Sequence, residues 1–482
     1  MSGAARPLEV AVVGAGVAGL AAAHALGERA AARGVALKVA IFEAGTRAGG
    51  VLRTGRRDGF LLESGPDCFI TDKPWGIDLC RRLGLGDELA GTNPDCRRSF
   101  ILSGRRLLPV PEGFSLMAPA RLRPFLTTPT LSLMGRLRAG LDLVKPRGPA
   151  LADESLASFV RRRFGDEVLE RLAQPLLAGI YNADPERLSL RATMPRFLEL
   201  ERDHRSVILG LRRGRRRAGG AGDGTSGARY SLFVAPRRGM GSIVERLVDR
   251  LPAGALHLGA RVAALGAGRE RRWALATERD GGSDGAFEAD AVVLALGAPS
   301  AAPILRAIDA TAADALAAIP YGSSTTVNLA WSAADLRRPL DGFGFVVPRR
   351  EKRRLIACSF TSVKFPGRAP EGSVLVRAFT GDEQMPGADA DAVSAAMREE
   401  LRDILGIEAA PIFSEVTFHR AAMPRYEVGH LGRAAEIASR IESQTGLAFA
   451  GNALTGVGVP DCIRSGEAAA ERILSRAPHL VS

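Results

Sequence analysis

One short run governs what this chain can fold into: Gly14-Ala15-Gly16-Val17-Ala18-Gly19, set directly after the apolar stretch Leu8–Val13 and directly before the Ala-rich stretch Leu20–Arg33. The first stretch reads as a buried strand and the second as a helix; Lys38–Phe42 reads as another strand, ending on Glu43. Strand, glycine turn, helix, strand and acid make up a βαβ dinucleotide-binding unit. Gly14 makes the tight turn. Gly16 lets a pyrophosphate approach the helix N-terminus, where free N–H groups favour an anion. Gly19 lets helix and strand pack closely. Glu43, 24 residues past Gly19, is placed to accept hydrogen bonds from an adenosine ribose. A buried Gly/Ala-rich helix without a ligand would need neither the flanking strands nor the terminal acid.

The chain has 482 residues, which suggests about three domains, and 46% of them are apolar, enough for a large core and too many for a disordered chain. Five scattered Cys without C-x-x-C, and six His without metal-ligand spacing, argue against a disulfide framework or a zinc site. The expected setting is a reducing one, the cytoplasm. The Gly/Ala-rich run Val10–Leu26 carries His24 and falls short of a membrane span. Formal charge is +12, almost all of the basic residues being Arg, which suits an anionic partner. The basic run and Gly-rich stretch Arg212–Arg229 read as a flexible exposed loop; no aromatics interleave with its Arg residues, so nucleic acid is not an expected partner. Between Pro109 and Pro149, the segment Leu131–Val144 mixes apolar and basic residues as a helix resting on a membrane surface would.

Asp153–Phe164 and Asp166–Leu177 read as helices broken at Gly165, with Asp153 and Asp166 as caps. Gly239-Met240-Gly241 opens another helix. Leu256–Leu265, Arg272–Glu278 and Ala291–Leu296 read as strands returning to the first domain, which is therefore discontinuous. Thr325–Trp331, Gly344–Pro348, Leu355–Thr361 and Val374–Thr380 read as an antiparallel sheet of a second domain, followed by an amphipathic helix Asp391–Leu405. Leu447–Ala450 reads as a strand leading through Gly451–Pro460 into a last helix, Asp461–Ser475.

The N-terminal run continues as Phe42-Glu43-Ala44-Gly-Thr-Arg47-Ala-Gly49-Gly50-Val51, then Phe60-Leu-Leu-Glu63-Ser-Gly65-Pro66-Asp67-Cys68. These motifs resemble the FAD signature of the amine-oxidase and protoporphyrinogen-oxidase superfamily. An NAD enzyme has no need of the second glycine pair, whereas a flavin ring lies against such a backbone. Glu201–Gly210, Gly342–Pro348, Lys364-Phe-Pro366, Pro424–His430 and Gly451–Ile463 narrow the resemblance to the protoporphyrinogen-oxidase family, over residues 8 to 475. Two departures stand out: Gly179-Ile-Tyr181-Asn182-Ala183-Asp184 has Asn-Ala where the family commonly has Ala-Gly, and His419 stands where many relatives have Trp.

The resemblance implies an α/β fold, α+β in part. It has a discontinuous Rossmann-like FAD-binding domain (residues 1–92, 211–300 after a basic loop, and 441–482), a mainly helical membrane-associating domain (93–210) and a substrate domain with a mixed, largely antiparallel sheet (301–440). It implies non-covalent FAD held by Gly14, Ala15, Gly16, Val17, Ala18, Gly19, Glu43, Ala44, Arg47, Gly49, Gly50, Val51, Gly65, Pro66, Asp67, Cys68, Val262, His419, Asn452, Val457, Gly458 and Val459. For the substrate it implies Arg98 as a propionate anchor, Gly179 beside the flavin where a side chain would block access, and Val346 and Phe379 on either side of the macrocycle. No residue is assigned as a general acid or base, and no metal is expected. The implied reaction takes protoporphyrinogen IX to protoporphyrin IX, six electrons passing to molecular oxygen as hydrogen peroxide. Oxidation of coproporphyrinogen III is the near alternative, and it needs further cations for four propionates. A monoamine oxidase or desaturase fits less well, since Gly451–Val459 lacks the covalent-flavin Cys; a flavin-free binding protein of the same fold fits less well because both glycine motifs are complete. Expected partners are the porphyrinogen, oxygen, an anionic membrane at the inner face of the cell and the next enzyme of the heme pathway, and a homodimer is compatible.

Overall fold

The computed structural model describes residues 6–149, 151–181, 183–217, 232–279, 282–476 and 480. Its centre is a five-stranded, all-parallel sheet in the order Leu256–Leu258, Leu37–Glu43, Leu8–Val13, Ala291–Leu294, Leu447–Phe449. Three separated stretches of sequence thus build one sheet. Its inner strands are apolar on both faces because both are covered: Val10, Ala11, Val12 and Val292–Leu294 are all fully buried. Helices Val17–Arg33 and Val459–Ser475 pack together over one face. A Cβ on Gly466 would stand 2.1 Å from the Ala18 carbonyl, so glycine sets how close these two helices come. The other face is covered by helices Ala298–Leu305 and Ala310–Ala317 and a three-stranded antiparallel sheet, Ala260–Ala267, Trp273–Arg279 and Gly282–Ala289. The single strand expected over Leu256–Leu265 is therefore two strands of different sheets, divided at Gly259, whose φ of +67° turns the chain.

The second large sheet has seven strands, ordered Phe413–Pro424, Tyr321–Ser332, Ser373–Gly381, Ala357–Ser359, Gly344–Val346, Ser99–Ser103, Arg106–Pro109. Its antiparallel middle matches the expectation. The flanking strands were not anticipated: Ser99–Ser103 joins parallel to Gly344–Val346, so this sheet is mixed. Helix Ala390–Leu405 covers its outer face.

The third part is helical and holds its own core around Phe125, Phe159, Phe164 and Leu172. Its helices differ from expectation in their caps. Ser155, not Asp153, caps Leu156–Phe164 by accepting the Ser158 N–H at 3.1 Å, and Asp153 instead accepts from Ser189 and Gly429. Asp166 is inside its helix and pairs with Arg161. Leu131–Val144 is a helix Leu133–Gly140 followed by a 3₁₀ turn. The first half of the basic run belongs to helix Val207–Arg217, not to a loop; the Gly-rich remainder lies outside the described residues. Beneath these helices Arg163, 1% exposed, pairs with the fully buried Asp142 and with Glu201.

Candidate functional site

The strand Leu8–Val13 delivers the glycine turn at the carboxyl end of the parallel sheet, the usual ligand crevice of such sheets. Gly14 adopts φ +101°, and a Cβ there would meet the Ala295 carbonyl at 2.5 Å. A Cβ on Gly19 would stand 1.9 Å from the Gly14 carbonyl. Gly16, at the N-terminus of helix Val17–Arg33, differs from both: its Cβ would have nothing within 4 Å. The chain needs glycine at 14 and 19 for its own packing and at Gly16 leaves space outside itself. Glu43 Oε2 accepts the Ala15 N–H at 2.9 Å, and Oε1 accepts the Gly45 N–H at 2.8 Å. The acid thus shapes the turn and keeps further lone pairs for a ribose.

Gly49 donates to the Ala15 carbonyl at 2.8 Å and brings the second glycine pair beside Gly16. Arg47 braces this loop, donating to the carbonyls of Gly50 and Ala48. Ala44 and Val51 are exposed on it. Gly65 follows the strand Phe60–Glu63, and a Cβ there would meet the Val51 carbonyl at 1.9 Å, so the Gly65-Pro66 turn lies against the Gly49–Val51 loop. At the same carboxyl end, beyond the edge strand Leu447–Phe449, Gly458 begins the helix Val459–Ser475, with its N–H held by Asp461 at 3.3 Å. Asn452 donates to the Ala422 carbonyl at 3.2 Å, and Tyr426 donates to the Asn452 carbonyl at 2.5 Å, fixing the loop that carries Val457. Ala15, Gly16, Val17, Ala18, Gly49, Gly50 and Gly458 are thereby gathered about two helix N-termini. Val262 stands apart on the three-stranded sheet, opposite Thr277 and packed in the core with Phe42.

Register fixes what the mixed sheet presents to this crevice. Val346, Ala357, Phe379 and Thr326 are paired in one rung, and Gly344, Ser359, Arg377 and Asn328 in the rung two residues on, so all share one face. The polar side chains of that face grip the Glu63–Gly65 carbonyls. Thr326 donates to Ser64 O at 2.8 Å, Asn328 to Glu63 O at 3.1 Å, and Arg377 to Gly65 O; His419 Nε2 lies 2.8 Å from Ser64 O. Burial lowers the His419 pKa. Lys364 lies 3.0 Å from Asp67, and the Cys68 thiol donates to Asp67 at 3.1 Å. Against burial, which alone would raise it, Lys364 and Arg377 hold the Asp67 carboxyl well below its usual range; burial pushes the Cys68 thiol up to about 12.

Sequence reasoning assigned Phe379, His419, Asp67 and Cys68 here but overlooked Thr326, Asn328 and Arg377. One signal was available: Arg377 is a charge in the middle of the otherwise uncharged strand Ser373–Gly381. Gly179, on helix Gln174–Tyr181, faces the same sheet, and a Cβ there would have only Val346 Cγ1 near it, at 3.8 Å. The altered position Asn182 lies outside the described residues. Arg98 immediately precedes the strand Ser99–Ser103, its side chain 62% exposed and paired with Asp341. A cleft of about 330 Å³ adjoins Gln174 and Val347 and carries Arg349, Lys352, Arg353 and Arg354.

The residues fit a flavin dinucleotide on their own evidence. The crevice has an open cradle at Gly16, and the buried Asn328 Oδ1 and Arg377 Nε and Nη1 lack hydrogen-bond partners. Comparison with known proteins agrees. Residues 17–474 match the flavin containing amine oxidoreductase family, and the chain belongs to that family of oxidoreductases, with FAD as its cofactor. Within it, the chain falls among the porphyrinogen oxidases of heme biosynthesis. It is 38% identical to the coproporphyrinogen III oxidase of Propionibacterium freudenreichii subsp. freudenreichii, over 97% of this chain and 90% of that one. It is 33% identical to the Bacillus subtilis coproporphyrinogen III oxidase (97% and 98% covered) and 30% identical to the chloroplastic protoporphyrinogen oxidase of Oryza sativa subsp. japonica (96% and 87%). A solved structure of a putative protoporphyrinogen oxidase from Exiguobacterium sp. 255-15 superposes with a TM-score of 0.83 at 30% identity, covering 98% of this chain and 99% of that one.

Proposed function

We propose that the chain oxidises coproporphyrinogen III to coproporphyrin III, with oxygen as the terminal acceptor and non-covalent FAD. The carrying observation is the cleft beside Gln174 and Val347, where Lys352 clusters with Arg349, Arg353 and Arg354, arginines that hold Asp184, Glu383, Glu399, Glu400 and Asp403 and would exchange some of these carboxylates for propionates. Four propionates call for more cations than two, and guanidinium forks suit carboxylates. The order of likeness agrees, 38% and 33% to coproporphyrinogen III oxidases against 30% to the rice protoporphyrinogen oxidase. In this reading Val346 and Phe379 line the macrocycle, Gly179 leaves room for it, and Arg98 holds a propionate at the rim. When bound, the flavin supplies a two-electron acceptor for the hydride of a bridging carbon. The chain's own part is to orient that carbon and exclude water, the pyrrolic proton leaving to solvent. Purified protein incubated aerobically with each porphyrinogen, read by porphyrin fluorescence and peroxide, tests this. Faster turnover of protoporphyrinogen IX would overturn the substrate assignment, and no turnover of either would overturn the function.

We also propose that the helical part rests on an anionic membrane surface. Leu126, Leu133, Met134, Leu137, Leu141 and Val144 are exposed within 19 residues of chain, Met134 by 73%, among Arg123, Arg136 and Lys145. Among the described residues no helix is long and apolar enough to cross a membrane. Co-sedimentation with anionic but not neutral vesicles at low salt is the expected result; equal recovery with both would count against the charge contribution.

A further inference from the structure

Beneath the Gly65-Pro66 turn lies a group of charges that the fold does not neutralise. Lys364 approaches Asp67 at 3.0 Å, and its side chain and that of Asp67 are each 14% exposed. Arg377, 4% exposed, approaches the same carboxylate, with Nη1 3.9 Å from Oδ2. The other charged or titratable neighbours do not alter the count. Glu63 pairs with Arg368 at 3.2 Å, the buried His419 is kept neutral, and the Cys68 thiol stays protonated. Two cations and one anion leave the site with one net positive charge in a place largely closed to water.

The donors of Arg377 tell the same story. Its Nη2 is used on the Gly65 carbonyl, but Nε and Nη1 are buried and donate to nothing. A buried guanidinium with two idle nitrogens costs free energy unless something accepts from them. The side chain is held in place from both sides. Gly65 O takes one end, and the Phe379 ring lies 4.8 Å from the guanidinium carbon. The idle nitrogens therefore lie between the turn proposed for the flavin and the ring proposed for the macrocycle.

We propose that Arg377 is a cofactor-contacting residue whose free Nε and Nη1 hydrogens serve the carbonyl-bearing edge of the flavin ring, and whose unbalanced charge raises the ring's affinity for electrons. This rests on the flavin assignment but not on the choice of substrate. A hydride carries two electrons and one proton to the ring and leaves it one negative charge richer; a fixed cation in a dry site favours that state. Asp67 and Lys364 cancel one another, while Gly65 O and the Phe379 ring hold Arg377 in place.

The test uses the holoprotein without any porphyrinogen, comparing wild type with Arg377→Met and Arg377→Lys. The reduction potential of the bound flavin is read by anaerobic dye equilibration, and FAD dissociation by fluorescence. Arg377→Met should shift the equilibrium at least tenfold against the reduced flavin, about 30 mV for a two-electron couple. Arg377→Lys should restore most of the potential. A wild-type potential in flavin-loaded Arg377→Met overturns the proposal, as does an equal loss of potential or of FAD in both variants, which would make Arg377 a clamp on the turn only. A chain that proves inactive on porphyrinogens leaves these outcomes readable, because no substrate is present.

Discussion

Gly16→Val separates what the fold needs from what the ligand needs. Gly16 has φ −67° and ψ 174°, a conformation open to any residue, and its Cβ would have no heavy atom within 4 Å. The apoprotein should lose no more than about 1 kcal/mol, the usual scale for a changed helix N-cap. The new side chain fills the space proposed for the pyrophosphate, and a 100-fold loss of FAD affinity corresponds to about 2.7 kcal/mol. The control is Gly19→Ala, whose Cβ would stand 1.9 Å from the Gly14 carbonyl; backbone cannot rotate away as a side chain can, so overpacking should cost about 1–3 kcal/mol before any ligand is added. Apoprotein melting and FAD fluorescence titration read the two effects apart. Wild-type saturation with added FAD should raise the melting temperature, the linkage being about 2.7 kcal/mol at 100 times Kd, and Gly16→Val should lose that rise while its apo curve stays in place. A folded Gly16→Val protein with full, tight flavin occupancy would refute the placement of the pyrophosphate. An apo Gly16→Val protein as damaged as Gly19→Ala would refute the claim that the cradle is empty of protein.

Three further outcomes are expected. Asp142→Ala leaves the buried Arg163 without the carboxylate that also accepts from Ser206 at 2.6 Å and the Ile208 N–H at 3.0 Å; it should destabilise the helical part by about 3–5 kcal/mol in denaturant unfolding, and a loss below about 1 kcal/mol would show that Glu201 suffices. Arg98→Ala should leave the melting temperature and flavin spectrum unchanged, since its partner Asp341 is also exposed, and lower porphyrinogen kcat/KM by no more than about tenfold; an unchanged value would mark Arg98 as surface charge alone. His24, His419 and His430 are all lowered from 6.5 by burial, so below that pH the unfolded chain binds more protons than the native one; stability should be full above 6.5 and fall on acidification toward the depressed native values, and a melting temperature flat between pH 7 and 5 would contradict this.

The strand, glycine turn and helix proposed to hold the dinucleotide were legible because their physics is local. Gly14, Gly16 and Gly19 act within one turn, and Glu43 bonds to a residue that the strand-turn-helix pattern already places beside it. The strands Leu256–Leu258 and Ser99–Ser103 were harder, because a three- or five-residue apolar run does not say which sheet it joins; Gly259 and the parallel pairing with Gly344–Val346 decide that through tertiary contacts. Helix caps went wrong for a similar reason: Asp153 reads as a cap, yet the fold brings Ser189 and the Gly429 N–H to it and leaves Ser155 to cap.

The face formed by Thr326, Asn328, Arg377 and His419 draws on three strands spread over almost a hundred residues, and only their register makes them neighbours. A charged residue within an apolar strand is a conflict between local pattern and burial, and such conflicts concentrate where a protein binds something. Trp331 and Val376 on the same strands obey the pattern and serve the core. Arg377 breaks it, and the fold meets its cost only in part, with Gly65 O, Phe379 and the distant edge of Asp67. What remains unmet is the donor capacity of Nε and Nη1 and a positive charge, beside the Gly65-Pro66 turn that lies against the Gly49–Val51 loop. The proposed cofactor site therefore carries two opposite signals: a side chain absent at Gly16, where the fold leaves room for one, and a charged side chain present at Arg377, where an apolar one would have packed more cheaply.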